Sequence, residues 1–275
     1  MRVPRPAVVD SERAPATSES GRGVDLRAKR GGVSVDTARR TRRLPAALGV
    51  GVLLAGLTIT GAACVGSPDA PSSPPQDRPT GIVEELPDPR SVGTMSLEEA
   101  LARRRSIRSF TSTPLTDVSI SQLLWAAQGL TADWGGRTAP SAGGLHPLEV
   151  YVLSDRGVWR YLPSGHRVEV RARQDRRLEL ADAAGGQDAL RTAPAVFVIC
   201  GSYPRTASRY GARAERYVHL EAGHAAQNLL LQAVALSLAA VPIGAFDDIA
   251  VQRATGLPEE CQPLYLVPVG GAAGP

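Results

Sequence analysis

Arg104-Arg105-Ser106-Ile107-Arg108-Ser109-Phe110 packs three guanidinium groups and two hydroxyls into seven residues. Arg forks and hydroxyls are the groups that hold a dianionic phosphate. Arg clusters at a helix C-terminus also complement the helix dipole, so this stretch alone leaves both readings open. A second stretch, Ala139-Pro140-Ser141-Ala142-Gly143-Gly144-Leu145-His146-Pro147, combines small residues with adjacent glycines. Such backbone can approach a planar ligand closely. The third, Val241-Pro242-Ile243-Gly244-Ala245-Phe246-Asp247-Asp248, is a compact loop whose backbone N–H groups can face an acceptor without an intervening side chain. Glu221 and His224 form an ExxH step on one helical face. Di-iron bundles need a second copy and two further carboxylates, which the sequence lacks, so this pair is expected to bond internally or across an interface.

Several chemistries are excluded. The one lysine, Lys29, lies near the N-terminus, so the body of the chain has no lysine base, Schiff base or P-loop lysine. No GxGxxG follows a strand and no GxSxG occurs. Cys64, Cys200 and Cys261 are too widely spaced for a CxxC pair, and none neighbours a His at ligand spacing, so no metal is expected. Cys200 reads as a small core residue at the end of an apolar strand. Residues 1–43 carry 11 Lys+Arg against 5 Asp+Glu, +6 of the overall +4, which leaves the remainder at −2. With aromatics at 4% as well, the body has neither the charge nor the stacking surface for nucleic acid.

The elements that position these residues occupy the C-terminal two-thirds. Residues 1–43 read as a basic, disordered leader. Leu44 to Ala63 then runs uncharged for 20 residues directly after Arg39-Arg40-Thr41-Arg42-Arg43, the layout of an export signal or membrane anchor. Thr41-Arg42-Arg43 resembles the start of a twin-arginine signal. Gly61-Ala62-Ala63-Cys64 resembles a lipobox, with Cys64 as the lipidation site, so residues 44–64 imply an extracytoplasmic, membrane-tethered protein. The alternatives are a plain cleaved signal and an N-terminal anchor. Residues 65–92, with seven prolines, read as a tether, and the globular domain is expected over 93–275. Within it, a capping box at Ser96–Glu99 opens a helix to about Arg105. A second helix is expected over Leu115–Gly129, a hairpin over Glu149–Leu153 and Val158–Leu162, buried strands at Ala195–Cys200 and Leu264–Val269, and a long helix over Tyr217–Ala240. Helices and strands do not alternate regularly, which favours an α+β fold.

RRSIRSF, PSAGGLHP, RYGARAERYVHLEAGHAAQN, VPIGAFDD and LYLVPVG stand in this order over roughly residues 95–271. The series resembles the nitroreductase superfamily, in its branch of SagB-type, azoline-oxidising dehydrogenases. The resemblance implies a central, mostly antiparallel sheet flanked by helices, and a homodimer with FMN at the subunit interface. It makes Arg104, Arg105, Ser106 and Arg108 ribityl-phosphate contacts, sets Pro140, Ser141 and Gly143 against the flavin ring, and turns the backbone of Ile243, Gly244 and Ala245 toward the flavin. Two departures stand out. The chain ends Gly270-Gly271-Ala272-Ala273-Gly274-Pro275, without the basic residue that family members often carry after the last strand. Arg209-Tyr210 occupies the place of a Lys-Tyr pair that takes part in substrate deprotonation, and Arg is no neutral base near pH 7. The expected function is ping-pong hydride transfer from a small-molecule donor to a small acceptor, with Arg209 and Tyr210 on the substrate side. Azoline oxidation and a non-catalytic flavin-binding module are the alternatives.

Overall fold

The computed structural model describes residues 81–274. In chain order the elements are β1 (Val83–Glu85), α1 (Leu97–Arg103), α2 (Asp117–Gln128), β2 (Leu148–Ser154), β3 (Gly157–Leu162), β4 (Arg167–Ala172), α3 (Arg177–Ala183), α4 (Asp188–Thr192), β5 (Ala195–Ser202), α5 (Tyr203–Tyr210), α6 (Ala214–Ala235), β6 (Ala239–Ala240), α7 (Asp248–Thr255) and β7 (Cys261–Gly270). The fold is α+β, as expected. Its strands form one seven-stranded sheet in the order β1-β4-β3-β2-β5-β7-β6, and every strand pair is antiparallel.

β5 lies centrally, paired to β2 on one side and β7 on the other, and all its residues are buried. A central strand buried on both faces needs apolar residues in both registers, and Ala-Val-Phe-Val-Ile-Cys supplies them. Val196, Val198 and Cys200 join Leu180, Leu190, Val251 and Ala254 of α3, α4 and α7. Ala195 and Phe197 join Leu123 and Leu124 of α2 and Leu229 and Leu230 of α6 on the opposite face. Helices therefore cover both faces. Each of the first two is started by a hydroxyl cap: Ser96 accepts from the Glu99 N–H at 3.1 Å, and Thr116 from that of Ser119 at 3.2 Å.

The structure corrects two boundaries. The long helix starts earlier than expected and stops at Ala235, not Ala240. Ser237 turns to φ 57°, and Ala239-Ala240 leave as β6 along the end of β7. An apolar run with no period does not reveal which of its residues are helical. Residues 81–92, expected as the end of the tether, are seated on the domain. β1 pairs with β4, Pro87 accepts from the Ser121 hydroxyl, and the Arg90 N–H donates to Gln122 Oε1 at 2.8 Å. The apolar run 44–63, Cys64 and the basic leader lie outside the described residues. Among the described residues no helix is long and apolar enough to cross a membrane.

Candidate functional site

The chemistry-bearing stretches gather into two groups. In the first, the chain leaves α1 at Arg104 and runs beside β6: Ser106 bridges Ala240, and the Ile107 N–H donates to the Ala240 carbonyl at 3.1 Å. The C-terminal tail returns along the same stretch, with Thr111 N–H bonded to Gly271 O at 2.8 Å and Ala273 N–H to Ser109 O at 3.1 Å. Arg105 folds back onto the carbonyls of Ala102 and Arg104 at 2.9 and 2.7 Å, which is the helix-capping role. Arg104 and Arg108 bind no described carboxylate, and Arg108 and Ser106 are exposed. Ile243, three residues beyond Ala240, exchanges two backbone bonds with Leu266 at 2.8 and 2.9 Å. These pin the backbone so that Gly244 is held at the surface, where a Cβ would meet nothing within 4 Å. The Ala245 carbonyl is taken by Gln187 Nε2 at 3.1 Å.

Gly244 and Phe246 open onto a cleft of about 360 Å³ that Tyr203, His219, Leu264 and Tyr265 also line. Tyr203 Oη and His219 Nε2 are 2.6 Å apart, with their rings edge to face. Burial raises the Tyr203 pKa, and the charges of Glu215 and Asp248 add to it. Sequence reasoning missed this pair. Its members sit on different helices at no recognisable spacing, so only the fold reveals it.

The second group surrounds the Pro140–His146 loop. Gly143 and Gly144 adopt φ 63° and 65°, conformations open to glycine. Ser141 Oγ accepts the His146 N–H at 2.8 Å, closing the loop on itself. Arg209, near the end of α5, reaches the Gly143 carbonyl with Nη1 at 3.5 Å and lies 5.6 Å from the Tyr210 ring centroid. A Cβ on Gly143 would sit 2.7 Å from Tyr210 Oη and 2.9 Å from Arg209 Nη1. The structure therefore brings Ser141, Gly143, Arg209 and Tyr210 together, while Pro140 is exposed at the loop's entry. No described hydrogen bond joins this group to Arg104–Arg108.

Beneath the loop lies a buried polar layer that sequence spacing did not reveal. Glu221, 2% exposed, turns inward to Ser141 and Gln128, while His224 is exposed, so the expected internal pair does not form. Burial pushes the Glu221 carboxyl up to about 7, against the pull of Ser141, Arg137, Gln128 and Arg205. Its Oε1 has no hydrogen-bond partner among the described residues. His146 is held down to about 4, first by burial and then by the Arg137 charge. Arg205 ties the layer together, donating to the His146 carbonyl at 2.9 Å and pairing with Glu149 at 3.3 Å. Among the described residues no group of His, Cys, Asp or Glu is placed to hold a metal ion.

Residues 101–271 match the nitroreductase family. The chain belongs to that family. A nitroreductase homologue of Methanocaldococcus jannaschii is 41% identical over 192 residues, covering 68% of this chain and 94% of the relative. An NADPH-flavin oxidoreductase of Vibrio harveyi is 27% identical over 175 residues, 61% of this chain and 62% of its own. Among solved structures, a nitroreductase homologue of Ralstonia eutropha superposes with a TM-score of 0.64 at 33% identity, over 70% of this chain and 90% of the other. The nitroreductase-family chain described here is thus an oxidoreductase of a flavin-using family whose members are commonly homodimers.

Proposed function

We propose that the chain is an FMN-dependent oxidoreductase of the SagB-type branch, working by ping-pong hydride transfer between a small donor and a small acceptor, in a homodimer. The observation that carries this reading is the stretch of half-buried Arg104 and exposed Ser106 and Arg108, its arginines free of described carboxylate partners, hydrogen-bonded to the strand that leads into the pinned Ile243-Gly244 segment. That arrangement fits a flavin mononucleotide. Arg104 and Arg108 would hold its phosphate by charge-assisted bonds, Ser106 would donate a hydroxyl, and the Gly244 backbone would meet the ring. When bound, the flavin supplies the hydride-carrying atom; the protein supplies binding, orientation and electrostatics. No described hydrogen bond joins the second group to the first within one protomer. In a two-fold dimer a region of one copy that meets a different region of its partner does so twice, so the Ser141–Gly144 loop of each copy would close over the flavin held by the other.

Arg209 leans on the Gly143 carbonyl and the Tyr210 ring. It would hold an anionic group at the substrate side, with Tyr210 as a hydrogen-bond donor, which disfavours azoline oxidation. The export-like segment and Cys64 support a membrane-tethered location outside the cytoplasm. The deciding experiment is the absorption spectrum of purified protein, with identification of the chromophore released on denaturation. FMN bands, bleached by a reduced nicotinamide and restored by a nitro compound or quinone, are the expected result. A colourless protein that does not bind added FMN would refute the cofactor assignment. Bleaching by dithionite alone, with no turnover by any donor, would leave a non-catalytic flavin-binding module.

A further inference from the structure

Cys200 ends the apolar part of β5 and Cys261 opens β7, 61 residues later. In the ladder Cys200 faces Pro263 and Ser202 faces Cys261, with a register shift just before Cys200. The two cysteines are thus diagonal neighbours, and both belong to the same core cluster. Both are buried, at 0% and 1% exposure, and their sulfurs lie 2.9 Å apart. That is about 0.9 Å beyond a covalent S–S bond of ~2.0 Å.

We propose that Cys200 and Cys261 form a disulfide that cross-links the two central strands β5 and β7 in the mature protein. The chemistry is thiol–disulfide exchange with a dithiol-oxidising partner of the disulfide class. One thiolate attacks the donor disulfide and releases its first thiol. The second cysteine then displaces the other thiol, so two cysteine thiols and one donor disulfide give one protein disulfide and two donor thiols. Burial pushes the Cys200 thiol up, and the nearby Cys261 adds to this, so the Cys200 sulfur does not exchange readily in the closed fold. Access requires opening of the chain before β7, and Cys261 is well placed for that. It is the first residue of its strand, directly after the turn in which its N–H bonds to the Pro258 carbonyl at 2.9 Å. Once formed, the bond would be shielded from reductants by the same core that shields the thiols.

The experiment equilibrates the full chain in an oxidising glutathione buffer, quenches with acid, alkylates in denaturant and maps the peptides. The expected product links the peptides of Cys200 and Cys261, with Cys64 in no cross-link. Reduction should lower the Tm of this species by roughly 5–10 °C, with no such shift in Cys261→Ser. Recovery of Cys200 and Cys261 both alkylated after equilibration would overturn the proposal, as would a cross-link from Cys64 to either one. The wild-type comparison with and without reductant decides the matter even where a serine variant fails to fold. Flavin content does not enter the readout, so this test stands apart from the cofactor assignment.

Discussion

The Arg104–Arg108 stretch and the Pro140–His146 loop are both parts of the candidate site, yet they are built on opposite principles. The first presents permanent charge at the surface: Arg108 and Ser106 are exposed, and no described carboxylate neutralises Arg104 or Arg108. The second presents backbone, small side chains and the single guanidinium of Arg209, over a layer in which buried Glu221 meets half-buried Arg137, Arg205 and His146. Surface Arg keeps its charge at every pH and is worth most when a ligand phosphate desolvates it. A buried carboxyl and imidazole change charge near neutrality and below, and report on their surroundings instead. The first region is therefore suited to holding a cofactor and the second to responding to what happens above it.

The largest effect should come from removing the permanent charge. Each charge-assisted bond to a phosphate contributes about 1.5–3 kcal/mol, so Arg104→Ala should weaken FMN binding by roughly tenfold or more, at 1.4 kcal/mol per decade. Arg108→Ala should behave similarly, and titration of apoprotein with FMN measures both. Wild-type affinity in both variants would reduce the stretch to a helix end, the role Arg105 already plays.

Next comes the buried layer, where the two titrating groups pull in opposite directions. The folded-state pKa of His146, about 4, lies below the ordinary 6.5. Its neutral ring therefore contributes stability that is complete above pH 6.5 and lost as the pH falls toward 4. For Glu221 the folded value, about 7, lies above the ordinary 4.5, so its contribution is complete below pH 4.5 and lost as the pH rises through 7. In the wild type these slopes oppose each other between the two ordinary values. Glu221→Gln should unmask the His146 slope, with stability rising from pH 4 to 6.5. Above pH 7 it should exceed the wild type by on the order of 1–3 kcal/mol, since a buried charge has been removed. Denaturant titrations at pH 5 and pH 8 check this; equal stabilities at pH 8 would mean that Glu221 is solvated in solution.

A smaller effect tests the loop's backbone. Gly143→Ala places a side chain at φ 63° and against Tyr210 Oη, a conformation that costs a non-glycine residue about 1–2 kcal/mol. The Tyr210 and Arg209 side chains can give way, so thermal stability should fall modestly, while the charge-based FMN affinity should stay within a few-fold. A loss of FMN binding as large as that of Arg104→Ala would erase the distinction between the two regions.

The same contrast explains what the sequence made legible. Ala195–Cys200 and Leu264–Val269 read as buried strands because a strand covered on both faces must be apolar in both registers, and both lie inside observed strands. The hairpin and the first two helices carried their own turn and cap residues. By contrast, α3, α4, α5 and α7 span five to eight residues each, too short for a periodic signal and held by tertiary packing. β4 does carry one: Arg-Val-Glu-Val-Arg-Ala alternates with period two, after the Pro163-Ser164-Gly165-His166 turn that joins it to β3. β1 is hidden in a Pro-rich segment because an edge strand needs only one partner. The loops of the site announced themselves through Gly and Pro. The inward turn of Glu221, the Tyr203–His219 pair and the contact of Cys200 with Cys261 depend on helix rotation and strand register across long separations, which no local spacing encodes.

The smallest expected change separates holding from responding most directly. Arg209 sits in the second region, where its Nη1 reaches the Gly143 carbonyl and its guanidinium neighbours Tyr210, and it forms no described contact with Arg104–Arg108. Arg209→Lys preserves the positive charge but removes the planar fork and its stacking. FMN affinity should therefore change by less than about threefold, well under the tenfold per 1.4 kcal/mol that marks a lost phosphate contact. Steady-state kinetics should shift instead, with KM for an anionic donor rising because a point charge replaces a two-pronged one. The substitution also installs the lysine that the resemblance to SagB-type dehydrogenases implies at this place, and a lysine, unlike an arginine, can be driven to its neutral form by desolvation. If burial against Tyr210 were enough to do so, Arg209→Lys would turn over a thiazoline peptide that the wild type leaves untouched. We expect no such gain, because the residue is exposed at the end of α5 and its ammonium would stay charged. Azole formation by the wild-type protein would show that deprotonation does not need a lysine here and would restore azoline oxidation as the activity.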